Sequence, residues 1–238
     1  MSIPVEVLGF EGCPHLEAAR TLVSEAAAGL SAPVEMRTVL LASDEEARAV
    51  GFLGSPTIRV AGRDVEGRDG PVTGLCCRVY PEGSGVPPRW MVEAALLRAI
   101  GPRGILFLCV ANSARSQMAE GIARSLAPAG IEVFSAGSNP GRLNPMAVQV
   151  LEEIGIDISH HRSKGIGDVP AARVDAVITL CAEEVCPAWL GRAHRAHWGL
   201  PDPAAVQDEG ARLRAFREVR DELRRRLALV FENRGGPR

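Results

Sequence analysis

The chain has 238 residues, enough for one large domain or two small ones, and either can bury a real core. Its 46% hydrophobic and 24% charged residues are ordinary for a soluble globular protein, and a formal net charge of -2 gives no polybasic surface for nucleic acid. The first residues lack a basic n-region, and the most apolar run, 105–111, is far too short to cross a bilayer. A cytoplasmic protein with neither membrane nor nucleic acid as partner is expected. Six cysteines are too few for a disulfide scaffold at this length, so they read as metal-binding or redox chemistry.

In chain order, an apolar strand is expected over 5–10, then a turn at Glu11-Gly12-Cys13-Pro14 and a helix over about 15–28. Leu16, Ala19, Leu22 and Val23 share one face of that helix. A strand over 34–39 precedes a short helix over 43–50, with Ser43 as N-cap. Gly54-Ser55-Pro56-Thr57 leads into a strand over 58–60, turned back at 61–64. Residues 66–88 are rich in Gly and Pro and read as a long loop carrying Cys76-Cys77. An amphipathic helix over 90–100 closes this part.

Gly101-Pro102-Arg103-Gly104 punctuates the chain and sets the expected domains at 1–101 and 102–238. The second begins with a wholly apolar strand over 105–109, typical of a central parallel strand. A helix over about 116–127, a strand over 132–135 and a helix over about 145–154 follow. Further strands are expected over 175–179 and 194–197, then a long Arg-rich helix over 209–232 and a disordered tail over 233–238. Alternation of strands and helices implies an α/β fold whose parallel sheet carries helices on both faces.

Between the strand 105–109 and the helix after it stands Cys109-Val110-Ala111-Asn112-Ser113-Ala114-Arg115-Ser116. Such a loop can turn successive backbone N–H groups inward as an anion nest at a helix N-terminus, formed here by Asn112, Ser113, Ala114 and Arg115. The Arg115 guanidinium offers two parallel hydrogen bonds to a tetrahedral oxyanion. The same positive field favours the thiolate of Cys109 as nucleophile, and Ser116 can donate to it. Asn112, mid-loop, tolerates positive φ. A lone cysteine at a strand end is ordinarily a packing residue, but the arginine and helix start beside this one reverse that expectation. The spacing specifies an oxyanion and leaves the reaction open.

Cys181 and Cys186 follow the strand 175–179 in Thr179-Leu180-Cys181-Ala182-Glu183-Glu184-Val185-Cys186-Pro187. They can pair only if the segment is non-helical, because a disulfide needs Cα atoms about 4.4–6.8 Å apart. A half zinc site is the lesser alternative: His194 and His197 are near in sequence, but the usual two-residue cysteine spacing is missing, so no metal is expected. His160 and His161 read as a solvated turn, and His197 as packing against the Asp202 loop.

Residues 104 to about 232 resemble the thioredoxin-coupled arsenate reductases, which share the low-molecular-weight tyrosine phosphatase fold. The matching stretches include Cys109 to Gly121, Phe134-Ser135-Ala136-Gly137, Leu143-Asn144-Pro145, Thr179-Leu180-Cys181, Cys186-Pro187 and His197 to Ala204. The resemblance implies that Cys109 attacks arsenate while Asp202 protonates the departing oxygen. Cys181 would then take Cys109 into a disulfide and release arsenite. Cys186 would take over Cys181, and a thioredoxin-like dithiol would reduce the Cys181–Cys186 bond with no bound cofactor. A phosphatase needs Cys109, Arg115 and Asp202 but not the two later thiols. Two departures stand out: the relay cysteines are closer together than in the best-known members, and Lys164 replaces an acidic residue. Some relatives bind potassium with residues matching Asn112, Glu120, Ser135 and that acidic position, so no potassium site is expected here.

The N-terminal part resembles the thioredoxin superfamily, with Cys13-Pro14 at a helix start and Pro56 at the position of the family's cis-proline. Leu16 stands where the second thiol would be. Cys76 or Cys77 could resolve Cys13 if the long loop folds back, making this part a tethered reductant; a redox-dead docking domain is the alternative. For the whole chain the rivals to arsenate reduction are a tyrosine phosphatase and an oxyanion or thiol-metal sensing module.

Overall fold

The computed structural model describes residues 2–68, 70, 74–182, 189 and 191–231. Cys186 and the expected tail over 233–238 lie outside them. Two units divide the chain, Met1–Gly101 and Pro102–Arg238.

In the first unit, alternating burial along β1 (Ile3–Gly9) puts Val5 and Val7 on one face and Leu8 on the other. β1 pairs in parallel with β2 (Val34–Leu40) and antiparallel with β3 (Thr57–Val60). The turn expected over 61–64 includes a further short strand, β4 (Arg63–Asp64), so the sheet order is β2-β1-β3-β4. α1 (Leu16–Leu30) and α3 (Arg89–Ile100) pack together on one face. The other face carries a cluster of Leu8, Leu41, Ala47 and Phe52, to which α2 (Asp44–Ala49) contributes Ala47. Ser43 caps α2, accepting from the Glu46 N–H at 3.2 Å. The Ser55–Pro56 bond is cis. This sheet is compatible with a thioredoxin-like arrangement.

The long loop is anchored at its centre by Arg78, whose guanidinium donates to both oxygens of Asp64 at 2.6 and 2.8 Å and to Glu66 at 2.9 Å. It also lies 4.4 Å from the centroid of the Tyr80 ring, and the Tyr80 hydroxyl donates to the Pro56 carbonyl at 2.8 Å. Gly101, left-handed at φ 65, ends α3.

The second unit is an all-parallel sheet of order β6-β5-β7-β8, made of β5 (Gly104–Cys109), β6 (Glu132–Gly137), β7 (Ala176–Cys181) and β8 (His194–Leu200). Every residue of β5 is buried, as its unbroken apolar run requires of a central strand. α4 (Arg115–Leu126) packs on β5 and β6, and meets α5 (Pro145–Glu152) and α6 (Glu209–Phe231). On the opposite face Leu106, Leu108, Ala136 and Val177 are covered by Val169, Val174 and Trp189. The short 3-10 helices Ile166–Asp168 and Ala171–Arg173 run along this stretch, so the covering elements here are shorter than α-helices.

Arg78→Leu would strand two carboxylates with little access to water. It should cost the first unit about 3–5 kcal/mol. Hydrogen exchange at the β1 and β3 amides under native conditions reads this directly, and unchanged protection would refute the anchor.

Candidate active site

The loop from Cys109 to Arg115 leaves the C-terminal end of β5 and enters α4. The five carbonyls from Val110 to Ala114 each accept from a donor. Val110 O accepts from the Asn139 N–H at 2.9 Å, Ala111 O from Gly141 at 2.9 Å, and Ser113 O from Asn144 at 2.9 Å. Asn112 O accepts from the Ser163 hydroxyl at 2.6 Å, and Ala114 O from the Met118 N–H at 2.9 Å. In a planar trans peptide the N–H of the next residue points opposite to the carbonyl. Carbonyls fixed on the outside therefore turn the N–H groups of residues 111–115 toward the loop's interior, which is an anion nest. Gly137, at the end of β6, allows the close approach this needs: a Cβ there would lie 2.3 Å from Val110 O.

Cys109 is buried, with its Sγ 3.0 Å from the Ser116 Oγ. Asn112 is wholly buried and left-handed at φ 46, the conformation expected for it. Its amide nitrogen donates to Ser116 Oγ at 2.8 Å and to Ser135 Oγ at 2.9 Å. Its amide oxygen accepts from Gln117 Nε2 at 3.0 Å and from the Lys164 N–H at 2.8 Å. Since Asn112 donates to Ser116 Oγ, the serine hydroxyl keeps its own hydrogen for the Cys109 sulfur. Arg115, buried, donates to Leu200 O at 3.1 Å, and its other terminal nitrogen lies 3.6 Å from Asp202 Oδ2. Asp202 also caps the 3-10 helix Pro203–Ala205, accepting from the Ala204 N–H at 3.2 Å.

Cys181 is buried at the end of β7, paired with Leu200 of β8 across a register shift. Because Leu108 pairs with Thr179, Cys109 and Cys181 end adjacent parallel strands, which run about 4.8 Å apart. The backbone thus brings together Cys109, Arg115, Ser116, Cys181 and Asp202. Cys13, Cys76 and Cys77 belong to the other unit.

One support escaped the sequence reading. Gln117 Nε2 donates also to Arg162 O at 2.9 Å, and its Oε1 lies 3.0 Å from His161 Nδ1. Gln117 spends its N–H groups on carbonyl oxygens, so His161 must be the donor. His161 is therefore a half-buried brace of the loop, not a member of a solvated turn, because the chain after α5 folds back over the start of α4. His197 also departs from expectation: it is exposed, with Nδ1 2.8 Å from Thr179 Oγ1, because it alternates along β8 with buried Ala196 and Trp198. Another support is the cluster the resemblance had pointed to: buried Glu120 accepts from Ser135, from Lys164 Nζ at 3.1 Å and from Arg124 at 2.5 Å. Among the described residues no group of three or more His, Cys, Asp and Glu is placed to hold a metal.

Burial lowers the pKa of His161 below the ordinary imidazole value, against the opposing pull of Glu120. The folded state then binds less proton than the unfolded chain just below pH 6.5. Stability is full above that pH and falls as pH drops toward the lowered folded value. His161→Gln should flatten the midpoint-against-pH curve below about pH 6.5. Asn112→Ala loses several buried hydrogen bonds and places alanine at positive φ, and should cost about 3 kcal/mol by chemical denaturation. A wild-type midpoint would remove Asn112 from this role.

Comparison with known proteins places this geometry. The model of the low molecular weight phosphotyrosine protein phosphatase family matches residues 104–233. A protein named arsenate reductase from Halalkalibacterium halodurans is 43% identical over 131 residues, covering 54% of this chain and 94% of that protein. Another of that name from Bacillus subtilis is 44% identical over 126 residues, covering 52% and 91%. A third, from Staphylococcus aureus, is 39% identical over 122 residues, covering 50% and 89%. With the matched region spanning more than half of its length, this chain belongs to the low molecular weight phosphotyrosine protein phosphatase family.

Proposed function

We propose that the chain reduces arsenate to arsenite through Cys109, Cys181 and Cys186, with Asp202 as proton donor. The observation that carries this reading is a buried thiol, Cys181, at the strand end next to the Cys109 nest. Hydrolysis of a phosphate ester has no use for it. The relatives named arsenate reductase support the same substrate.

The nest N–H groups and Arg115 hold the tetrahedral anion. The Cys109 thiolate attacks arsenic(V), and an oxygen leaves as water with a proton from Asp202, forming an S–As bond. Cys181 then attacks the Cys109 sulfur. An S–S bond forms, the S–As bond breaks, and its electron pair stays on arsenic, which departs as arsenite. Cys186 displaces Cys109 from Cys181, and a thioredoxin-class dithiol reduces the Cys181–Cys186 bond. The two electrons come from thiols throughout, so the reaction takes no bound cofactor. No helix among the described residues is long and apolar enough to cross a membrane. Asp202 Oδ2 lies 3.6 Å from the anion-binding Arg115, which supports its role as proton donor.

The Lys164 ammonium on Glu120 puts a fixed cation beside Ser135 and Asn112. We read it as standing where a monovalent ion would otherwise balance the carboxylate. Replacing sodium with potassium should leave turnover unchanged; a large specific activation would defeat this.

The deciding experiment is arsenate-dependent NADPH oxidation with thioredoxin and its reductase. Cys109→Ser should abolish it, and Asp202→Asn should slow it by about 10²–10⁴. Cys181→Ser should stop turnover yet leave phosphate binding intact. Efficient aryl phosphate hydrolysis that survives Cys181→Ser, with no arsenate turnover in the wild type, would favour the phosphatase instead.

A further inference from the structure

The N-terminal unit lacks a second thiol at the start of α1, and the pairing of the long loop decides which cysteine can serve instead. Gly9 alternates along β1 with Val5 and Val7, on the face away from Leu8. A Cβ there would lie 2.7 Å from the Leu16 side chain of α1 and 2.8 Å from the Ser55 hydroxyl. The Ser55 side chain therefore stands on the α1 side of the sheet. It is buried, and its hydroxyl has no hydrogen-bond partner among the described residues.

The long loop returns to this same spot. The Ser55 N–H donates to Cys76 O at 2.8 Å, and Ser55 O accepts from the Arg78 N–H at 2.9 Å. These two bonds make a parallel bridge that sets Cys77 opposite Ser55. Paired residues of neighbouring strands project to the same face, about 4.8 Å apart, so Cys77 also stands on the α1 side. Cys76 and Arg78 point the other way. Arg78 holds Asp64, which pairs with Arg59 of β3, and Arg59 donates to the Val50 and Gly51 carbonyls at the end of α2. That buried anchor fixes the register, and a slip by one residue would exchange the two cysteines.

Cys13 lies on the α1 side as well. It sits half-buried in the turn that enters α1, its N–H donating to Phe10 O at 3.2 Å and its carbonyl accepting from the Leu16 N–H at 3.4 Å. Leu16, one turn on, is the side chain that covers Gly9 beside Ser55. The loop brackets this turn: Leu75 packs on the cluster that takes Phe10, and a Cβ at Gly85 would clash with the His15 ring. Cys77 is exposed, so its thiol is open to a partner from solution.

We propose that Cys13 and Cys77 are the redox dithiol of the N-terminal unit, with Cys77 taking the part of the thiol that Leu16 replaces and Cys76 standing aside on the opposite face. The Cys13 thiolate attacks a protein disulfide, releasing one of its thiols and forming a mixed disulfide. Cys77 then attacks the Cys13 sulfur, releasing the second thiol and leaving a Cys13–Cys77 bond. Two electrons pass from this pair to the substrate disulfide. A low-molecular-weight thiol attacks the exposed Cys77 sulfur and frees Cys13; a second equivalent frees Cys77, and the two leave as their disulfide. The unpartnered Ser55 hydroxyl can donate to a sulfur during the exchange. Only the identity of the substrate disulfide, Cys181–Cys186, rests on the function proposed above.

Disulfide mapping of the full chain tests this. The reduced protein is equilibrated with reduced and oxidised glutathione, acid-quenched, alkylated and mapped by peptide mass. A Cys13–Cys77 link is expected in wild type, in Cys76→Ser and in Cys76→Ala. Its formation consumes one oxidised glutathione and yields two reduced. Diluting both about tenfold at a fixed ratio should therefore raise the linked-to-reduced ratio about tenfold, whereas a mixed disulfide would not respond. In Cys77→Ser and Cys77→Ala, Cys13 should instead carry glutathione. With glutathione as sole donor, arsenate turnover should fall about tenfold or more in Cys13→Ser and Cys77→Ser, and stay at the wild-type level in Cys76→Ser. A Cys13–Cys76 or Cys76–Cys77 link would overturn the assignment. So would equal glutathionylation of Cys13 with and without Cys77. If the wild type reduces no arsenate, the function proposed for the C-terminal unit fails, and the mapping still decides the Cys13–Cys77 pair.

Discussion

Five consecutive carbonyls held on the outside of the loop after β5 are the constraint from which the rest of the C-terminal unit follows. A nest of N–H groups repels itself, since like dipole ends converge with no acceptor between them. The protein offsets this by fixing the other end of each peptide. Three of the donors come from residues 139–144, which can reach only because Gly137 brings β6 against Val110 without a side chain. The helix behind the loop adds its own N-terminal field. Asn112, in the conformation asparagine tolerates, ties both layers together through Ser116, Ser135 and Gln117.

The second demand is charge. Glu120 is buried, and a buried carboxylate is costly unless paired and hydrogen-bonded. Arg124, Lys164 and Ser135 meet that demand. The result links the Cys109 sulfur, by way of Ser116, Asn112, Ser135 and Glu120, to the only lysine in the chain. Removing any member leaves neighbours unsatisfied, which is what makes such networks rigid.

The N-terminal unit solves a different problem with similar means. Its long loop has few apolar residues to hold it, so one buried guanidinium takes two carboxylates and an aromatic face. That anchor fixes the register of the loop beside Ser55, with Cys77 opposite it.

Much was legible in the sequence. The unbroken apolar run of β5, the arginine after Cys109 and the helix that follows are local signals, and they point to Cys109 at the strand end, Asn112 in the loop, and Arg115 and Ser116 at the helix start. Alternating periodicity gave the two α/β patterns, and Ser43 marked the start of α2. What tertiary structure alone decided is what crosses long stretches of chain: the 139–144 donors, His161 on Gln117, and Cys77 opposite Ser55. His161 read as solvent-facing and His197 as packed because neither periodicity nor capping reports on a loop that folds back. Hydrogen-bond demand is written residue by residue in the sequence, but which distant group answers it depends on closure of the chain, and only the folded state contains that information.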